Sequence, residues 1–166
     1  MQLLNIDTNS LIFIVLLIPF IVGITMGCAN KITIFNNLDD LLFTFLMLIL
    51  PIPMLYIAHL FNDSKLIFYF FMIIELIMFL YLSYKSFIDN QKNIFYTILA
   101  LYTKLPLSLI YLINILSVLD NIFYKEKKHK NVLAVILFTI LTAIIAKLVK
   151  NNPRASKQYM YQIKRG

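Results

Sequence analysis

A chain of 166 residues that is 61% hydrophobic and only 14% charged departs far from a water-soluble domain, which averages about 45–50% apolar and about 25% charged residues. Its apolar residues also come in long blocks that a soluble core cannot absorb, so a soluble globular protein is excluded. The formal net charge of +7 is what a membrane protein with a cytoplasmic face carries, and no nucleic-acid partner is expected from it.

The sequence predicts an all-α polytopic transmembrane bundle of about four to five membrane segments plus a C-terminal amphipathic helix. The first segment covers residues 10–29 and follows "MQLLNIDTN", which has no Lys or Arg. Its apolar run is longer than the roughly 7–15 residues of a signal-peptide core, so a retained helix is expected. The second covers 38–60 and opens on "NNLDD". Asn37 suits an N-cap, and Asp39 and Asp40 fall in the first turn, where the helix dipole favours anions. The third covers 66–84, the fourth 94–119 and the fifth 132–149. Each is near or above the ~20 residues that cross a ~30 Å hydrocarbon core. The breaks "NKITIFNN", "FNDSK", "KSFIDNQKN" and "DNIFYKEKKHKN" are short, which makes successive helices antiparallel neighbours. Residues 1–150 thus form the transmembrane domain and 151–166 a basic tail.

Pro19, Pro51, Pro53 and Pro106 lie inside apolar segments. Each removes a backbone donor and predicts a kink. The freed carbonyl needs a neighbouring helix, a hydroxyl or water. The "LPIPM" pair predicts a pronounced break in the second segment. It serves either packing or a cavity-lining hinge.

Orientation follows the distribution of Lys and Arg. With five spans, one side carries Lys65, Lys125, Lys127, Lys128 and Lys130. The other carries Lys31, Lys85, Lys92, Lys147, Lys150, Arg154, Lys157, Lys164 and Arg165, and is the expected cytoplasmic side. The basic fourth loop opposes this assignment. A re-entrant fourth segment, which holds Lys104 and Pro106, would leave the tail in place and move the N-terminus inside.

In "NNPRASKQYMYQIKRG", Asn152 can cap a helix and Pro153 can open it. Tyr159 and Ile163 then share a face with Ala155 and Met160, opposite Arg154, Lys157, Lys164 and Arg165. Such a helix lies on anionic lipid headgroups or docks a cytoplasmic partner.

Cys28 is alone, and His59 and His129 lack ligand spacing. No phosphate-binding glycine loop, H-E-x-x-H or G-x-S-x-G is present. No metal, cofactor or enzymatic activity is expected, and an intramembrane enzyme would have to work without a visible catalytic constellation.

Two charges remain in the deep apolar stretches. Glu75 lies in "FYFFMIIELIMFLYL", about ten residues before the end of the third segment, and Lys104 about ten after the start of the fourth. Both then sit roughly 15 Å from one membrane face on antiparallel neighbours. A Glu75–Lys104 ion pair is therefore expected, either to specify the fold or to serve as a proton or ion site.

In size and layout alone the chain resembles immunity proteins against pore-forming bacterial toxins and small membrane components of phage-defence or secretion systems. That points to a membrane-embedded component that recognises another membrane protein, a membrane-inserting protein or a second copy of itself. The alternative is a homo-oligomeric channel or transporter subunit built on Glu75 and Lys104. Enrichment in Ile, Leu, Phe, Asn, Lys and Tyr suggests an AT-rich genome and a bacterial inner membrane, or else an organelle-encoded subunit.

Overall fold

The structure, a computed structural model, describes residues 8–61, 65–123 and 132–150. Six helices follow in order: α1 (Thr8–Cys28), α2 (Leu38–Ile49), α3 (Pro51–Leu60), α4 (Lys65–Asp89), α5 (Ile94–Phe123) and α6 (Val132–Lys150). Among the described residues there is no strand, and the fold is the all-α bundle that the apolar blocks predict. With α2 and α3 taken as one stretch, five helices among the described residues are long and apolar enough to cross a membrane. Large apolar side chains cover their outer faces, such as Phe13, Leu55, Ile77, Ile113 and Leu137. That is the pattern of an integral membrane protein whose solvent is lipid. The basic tail, including Arg154, Lys157, Tyr159, Ile163, Lys164 and Arg165, lies outside the described residues.

Helix α5 is the centre of the bundle and packs against α1, α2, α4 and α6. Its inward face is unusually polar for a membrane helix. Thr97, Thr103, Lys104, Ser108 and Asn114 are all buried on it. The segment that sequence left open between spanning and re-entrant is one uninterrupted helix of 30 residues, about 45 Å long at 1.5 Å per residue. It is long and apolar enough to span with length to spare.

The prolines divide into two groups. Pro51 and Pro53 produce the expected break: α2 stops at Ile49 and α3 starts at Pro51. Leu50 joins the two in a right-handed helical conformation and its N–H still bonds to Leu46 O, so the interruption is one residue long and less pronounced than the proline pair predicts. Pro19 and Pro106 are absorbed within α1 and α5 and do not end them. One turn before Pro19, the Leu16 carbonyl accepts a 2.7 Å hydrogen bond from the Tyr102 hydroxyl of α5. Pro19 frees the Val15 carbonyl, four residues back; the Tyr102 hydroxyl binds the adjacent Leu16 carbonyl and so ties α5 to α1 beside that opening.

The α1–α2 connection does not lie on the bundle surface. Ile32, Ile34 and Phe35 are buried and join Leu99, Ala100, Leu107, Ile145 and Leu148 in the core. The chain turns down into the bundle directly after α1. Asn30 takes φ 58°, its N–H bonds to Gly27 O, and the Lys31 N–H bonds to Met26 O. This is a helix-terminating pattern that asparagine tolerates better than most side chains. The segment is then tied to the end of α4. Asn90 Oδ1 accepts from the Thr33 N–H at 2.8 Å, and Asn90 Nδ2 donates to Thr33 O at 3.1 Å. One amide side chain thereby imitates a strand neighbour for a buried loop. Asn90→Ala leaves both Thr33 groups unpartnered and is expected to lower stability by about 1–2 kcal/mol. Hydrogen exchange at the Thr33 amide should speed up in that variant; an unchanged rate would mean that other contacts hold the loop.

Candidate functional site

Helix α2 opens beside the buried residues Ile32, Ile34 and Phe35, with Asn37, Leu38 and Asp39 exposed and Asp40 turned inward. Asn37 is its N-cap, with extended backbone, and its Oδ1 accepts from the Asp40 N–H at 2.9 Å. That cap holds Asp40 in the first turn, with its carboxylate beside the positive end of the helix. Asp40 is only 1% exposed.

The partner of Lys104 is Asp40. Lys104 Nζ lies 2.8 Å from Asp40 Oδ2, and both side chains are 1% exposed. Lys85 Nζ, from α4, lies 3.6 Å from Asp40 Oδ1 and is 26% exposed. The Asn36 N–H donates to Asp40 Oδ2 at 3.2 Å. The ring of Phe35, completely buried, lies 5.6 Å from the Lys104 ammonium, within range of a cation–π contact. Asn36 Nδ2 reaches Asp89 Oδ1 at 3.2 Å and extends the network to the end of α4. Four pieces of chain thus converge on one carboxylate: the buried loop, α2, α4 and α5. A closed cluster of this kind specifies how helices meet. It offers no free charge to a permeating ion.

The expected Glu75–Lys104 pair is not made. Equal depth for Glu75 and Lys104 makes them partners only where every polar break lies at the membrane surface, which would leave Asp40 shallow. The middle of the break is buried instead, at Ile32, Ile34 and Phe35, while Asn30, Lys31 and Asn37 are exposed, and Asp40 is buried close behind it. A lysine stem also leans toward the N-terminal end of its own helix. Lys104 therefore reaches back along α5 toward the α2 start. The sign that sequence reading passed over is within "NKITIFNN" itself: Ile32, Ile34 and Phe35 are core residues in a segment too short and apolar for a solvated loop.

Glu75 stands apart. It lies in the middle of α4, and its Oε2 is buried without a hydrogen-bond partner. It lines a groove of about 730 Å³ with Met47 of α2 and Tyr69, Met72, Ile73, Leu76 and Phe79 of α4. Spacings of three and four place these α4 residues along one face of the helix. The groove opens to the outside of the bundle, where Tyr69, Met72, Ile73 and Leu76 are exposed.

A second feature that sequence reading missed is "GITMG". Gly23 and Gly27 are the buried residues of α1, spaced as in the small-residue motif that lets membrane helices approach closely. Gly23 faces Thr103 of α5, and Gly27 faces Ile34 and Leu148. On the far side of α5, Tyr111 stacks on Phe138 of α6 with centroids 5.8 Å apart, and its hydroxyl lies 2.9 Å from Thr142 Oγ1. Among the described residues no group of three or more His, Cys, Asp or Glu side chains is placed to hold a metal.

No protein family, curated protein or solved structure matches the chain.

Proposed function

We propose that the chain is a membrane-embedded interaction component that recognises another membrane or membrane-inserting protein, of the kind used in toxin immunity, phage defence or secretion. The observation that carries this reading is the contrast between the two deep charges. Lys104 is enclosed and neutralised by Asp40, whereas the Glu75 carboxylate lines an apolar groove on the outside of the bundle. A channel subunit needs its charge along an interior path, and a recognition component needs it on a lateral face. The bundle sits in a bacterial inner membrane in this proposal. The end that carries Lys31, Lys85, Lys92 and Lys147 faces the cytoplasm, with the tail on anionic headgroups.

Two expected outcomes test the reading. Purified protein in liposomes should conduct no protons, Na⁺ or K⁺ above protein-free vesicles. In native membranes, photo-crosslinking residues at the outward positions Val15, Leu76 and Leu137 should give a discrete protein adduct from at least one helix. Ion flux without any adduct would overturn the proposal and favour the alternative, a homo-oligomeric channel or transporter subunit. One observation speaks for that alternative: on the buried polar face of α5, Ser108 Oγ and Asn114 Oδ1 lack hydrogen-bond partners. Ordered water bound at these atoms would satisfy them without transport.

A further inference from the structure

Glu75 begins ten residues into α4 from Lys65, about 15 Å along the helix. That places it in the hydrocarbon, where an unpaired carboxylate is costly. Protonation removes the charge but still leaves a buried polar atom without a partner. The other buried carboxylate, Asp40, has two lysines within ion-pair distance, although its Oδ1 also lacks a hydrogen bond; among the described residues Glu75 has no such cation. At Glu75 the missing piece must come from outside.

We infer that the groove between α2 and α4 docks one transmembrane helix of another protein, a helix that carries a lysine or arginine near the middle of its apolar span and closes that cation on Glu75. The inference rests on the reading of the chain as an interaction component. Three properties select this occupant. The first is charge complementarity at depth: a lipid amine stays at the headgroup level, about 15 Å away, and only a spanning segment delivers a cation to mid-membrane. The second is shape. From Tyr69 to Phe79 the groove follows three turns of α4, about 15 Å, and Met47 and Met72 supply adaptable side chains. The third is the lack of a suitable cation among the described residues. Lys104 is the only buried cation among the described residues, and Asp40 holds it. The described lysines of the other spans, Lys65, Lys85, Lys147 and Lys150, lie within about a turn of a helix end. A second copy therefore cannot complete Glu75 from its described spans.

The test uses the full chain in lipid vesicles with a fluorescence-labelled Leu/Ala helix of about 24 residues, carrying either Lys or Leu at its midpoint. Energy transfer should show the Lys peptide binding about ten-fold more tightly than the Leu peptide. Glu75→Gln should reduce the Lys peptide to the Leu level. Leu76→Trp keeps the carboxylate but fills the groove from an exposed position, and it should weaken both peptides. Both variants should retain the native unfolding midpoint. Equal binding of the two peptides, or a Lys preference that survives Glu75→Gln, overturns the inference. So does Glu75-dependent energy transfer between two copies of the chain, which would make a second copy the occupant. If the peptides fail while crosslinks from Val15 or Leu137 still capture a protein, this groove is the wrong site and the interaction reading stands.

Discussion

Asp40→Asn is expected to be among the most damaging single substitutions in the bundle, lowering stability by about 3 kcal/mol. The change is nearly isosteric, so the loss is electrostatic rather than steric. It leaves the Lys104 ammonium, 1% exposed, beside the Phe35 ring and a neutral amide, with its contacting carboxylate gone. Two reference values bracket the size. Breaking a buried pair in a soluble protein costs about 3–5 kcal/mol, and polar contacts between membrane helices average about 0.6 kcal/mol. The low figure reflects side chains that find other partners or reach the interface. Lys104 is enclosed on all sides by the buried loop, α2 and α5, so the higher range applies.

The geometry also predicts an asymmetry. Lys104→Met leaves Asp40 with Lys85 at 3.6 Å, the Asn36 N–H at 3.2 Å and the start of α2. It should cost about 1–2 kcal/mol, less than Asp40→Asn. The double variant Asp40→Asn/Lys104→Met should be more stable than Asp40→Asn alone, because no charge is left stranded. Chemical unfolding in detergent micelles measures all four forms. Losses that simply add would show that the residues share no interaction. A Lys104→Met loss larger than that of Asp40→Asn would make the carboxylate the stranded group. In contrast, Glu75→Gln and Lys104→Met should add within about 0.5 kcal/mol, since the two share no partner.

The spans were legible because a 30 Å hydrocarbon core demands about 20 apolar residues in a row, and that demand is written in composition alone. The second segment, 38–60, coincides with α2 and α3, and the "LPIPM" break falls where α3 begins. The ends were less legible. The apolar run of the third segment ends at 84, yet α4 continues to Asp89. Lys85, Ser86 and Asp89 look like loop residues in sequence, but Lys85 and Asp89 face the Asp40 network, and Ser86 sits under the Asn90 amide. Polar residues that satisfy one another inside a helix end are indistinguishable from a solvated break until the partners are known. The same reason hid Asp40. Its local role, an acid in the first turn beside Asn37, was readable from five residues. Its pairing with Lys104 spans 64 positions and depends on a loop folding inward. Glu75 was found by sequence because its oddity is local, a single carboxylate in an apolar run. Its apolar groove mates could not be told from any other lipid-facing stripe.

Gly23→Val is the second substitution expected to have a large effect, at about 3 kcal/mol of lost stability. Glycine carries no general advantage at this position. In the interior of a helix it is less favourable than alanine by about 0.5–1 kcal/mol, so a side chain here gains propensity. Packing opposes that gain and exceeds it. A Cβ at Gly23 collides with Thr103 Oγ1 and comes within 2.9 Å of Thr103 Cβ. The hydroxyl is held by a 2.8 Å bond to Leu99 O, and the Cβ belongs to the α5 framework and cannot rotate away. Helices α1 and α5 must therefore part, and the Tyr102–Leu16 bond that spans the same contact is expected to lengthen. Gly27 serves as the internal control. A Cβ there meets Ile34 Cδ1 at 2.6 Å and Leu148 Cδ2 at 2.8 Å, the far ends of flexible side chains. Gly27→Ala should cost less than Gly23→Ala, by about 1 kcal/mol or more. Thr103→Ala removes the nearest obstacle, so Gly23→Ala/Thr103→Ala should recover part of the Gly23→Ala loss. Unfolding midpoints rank the variants, and spin-label distances between α1 and α5 report the separation directly. If Gly27→Ala proves the more damaging, or Gly23→Val leaves the α1–α5 distance unchanged, the close approach at Thr103 is not what holds α1 in the bundle.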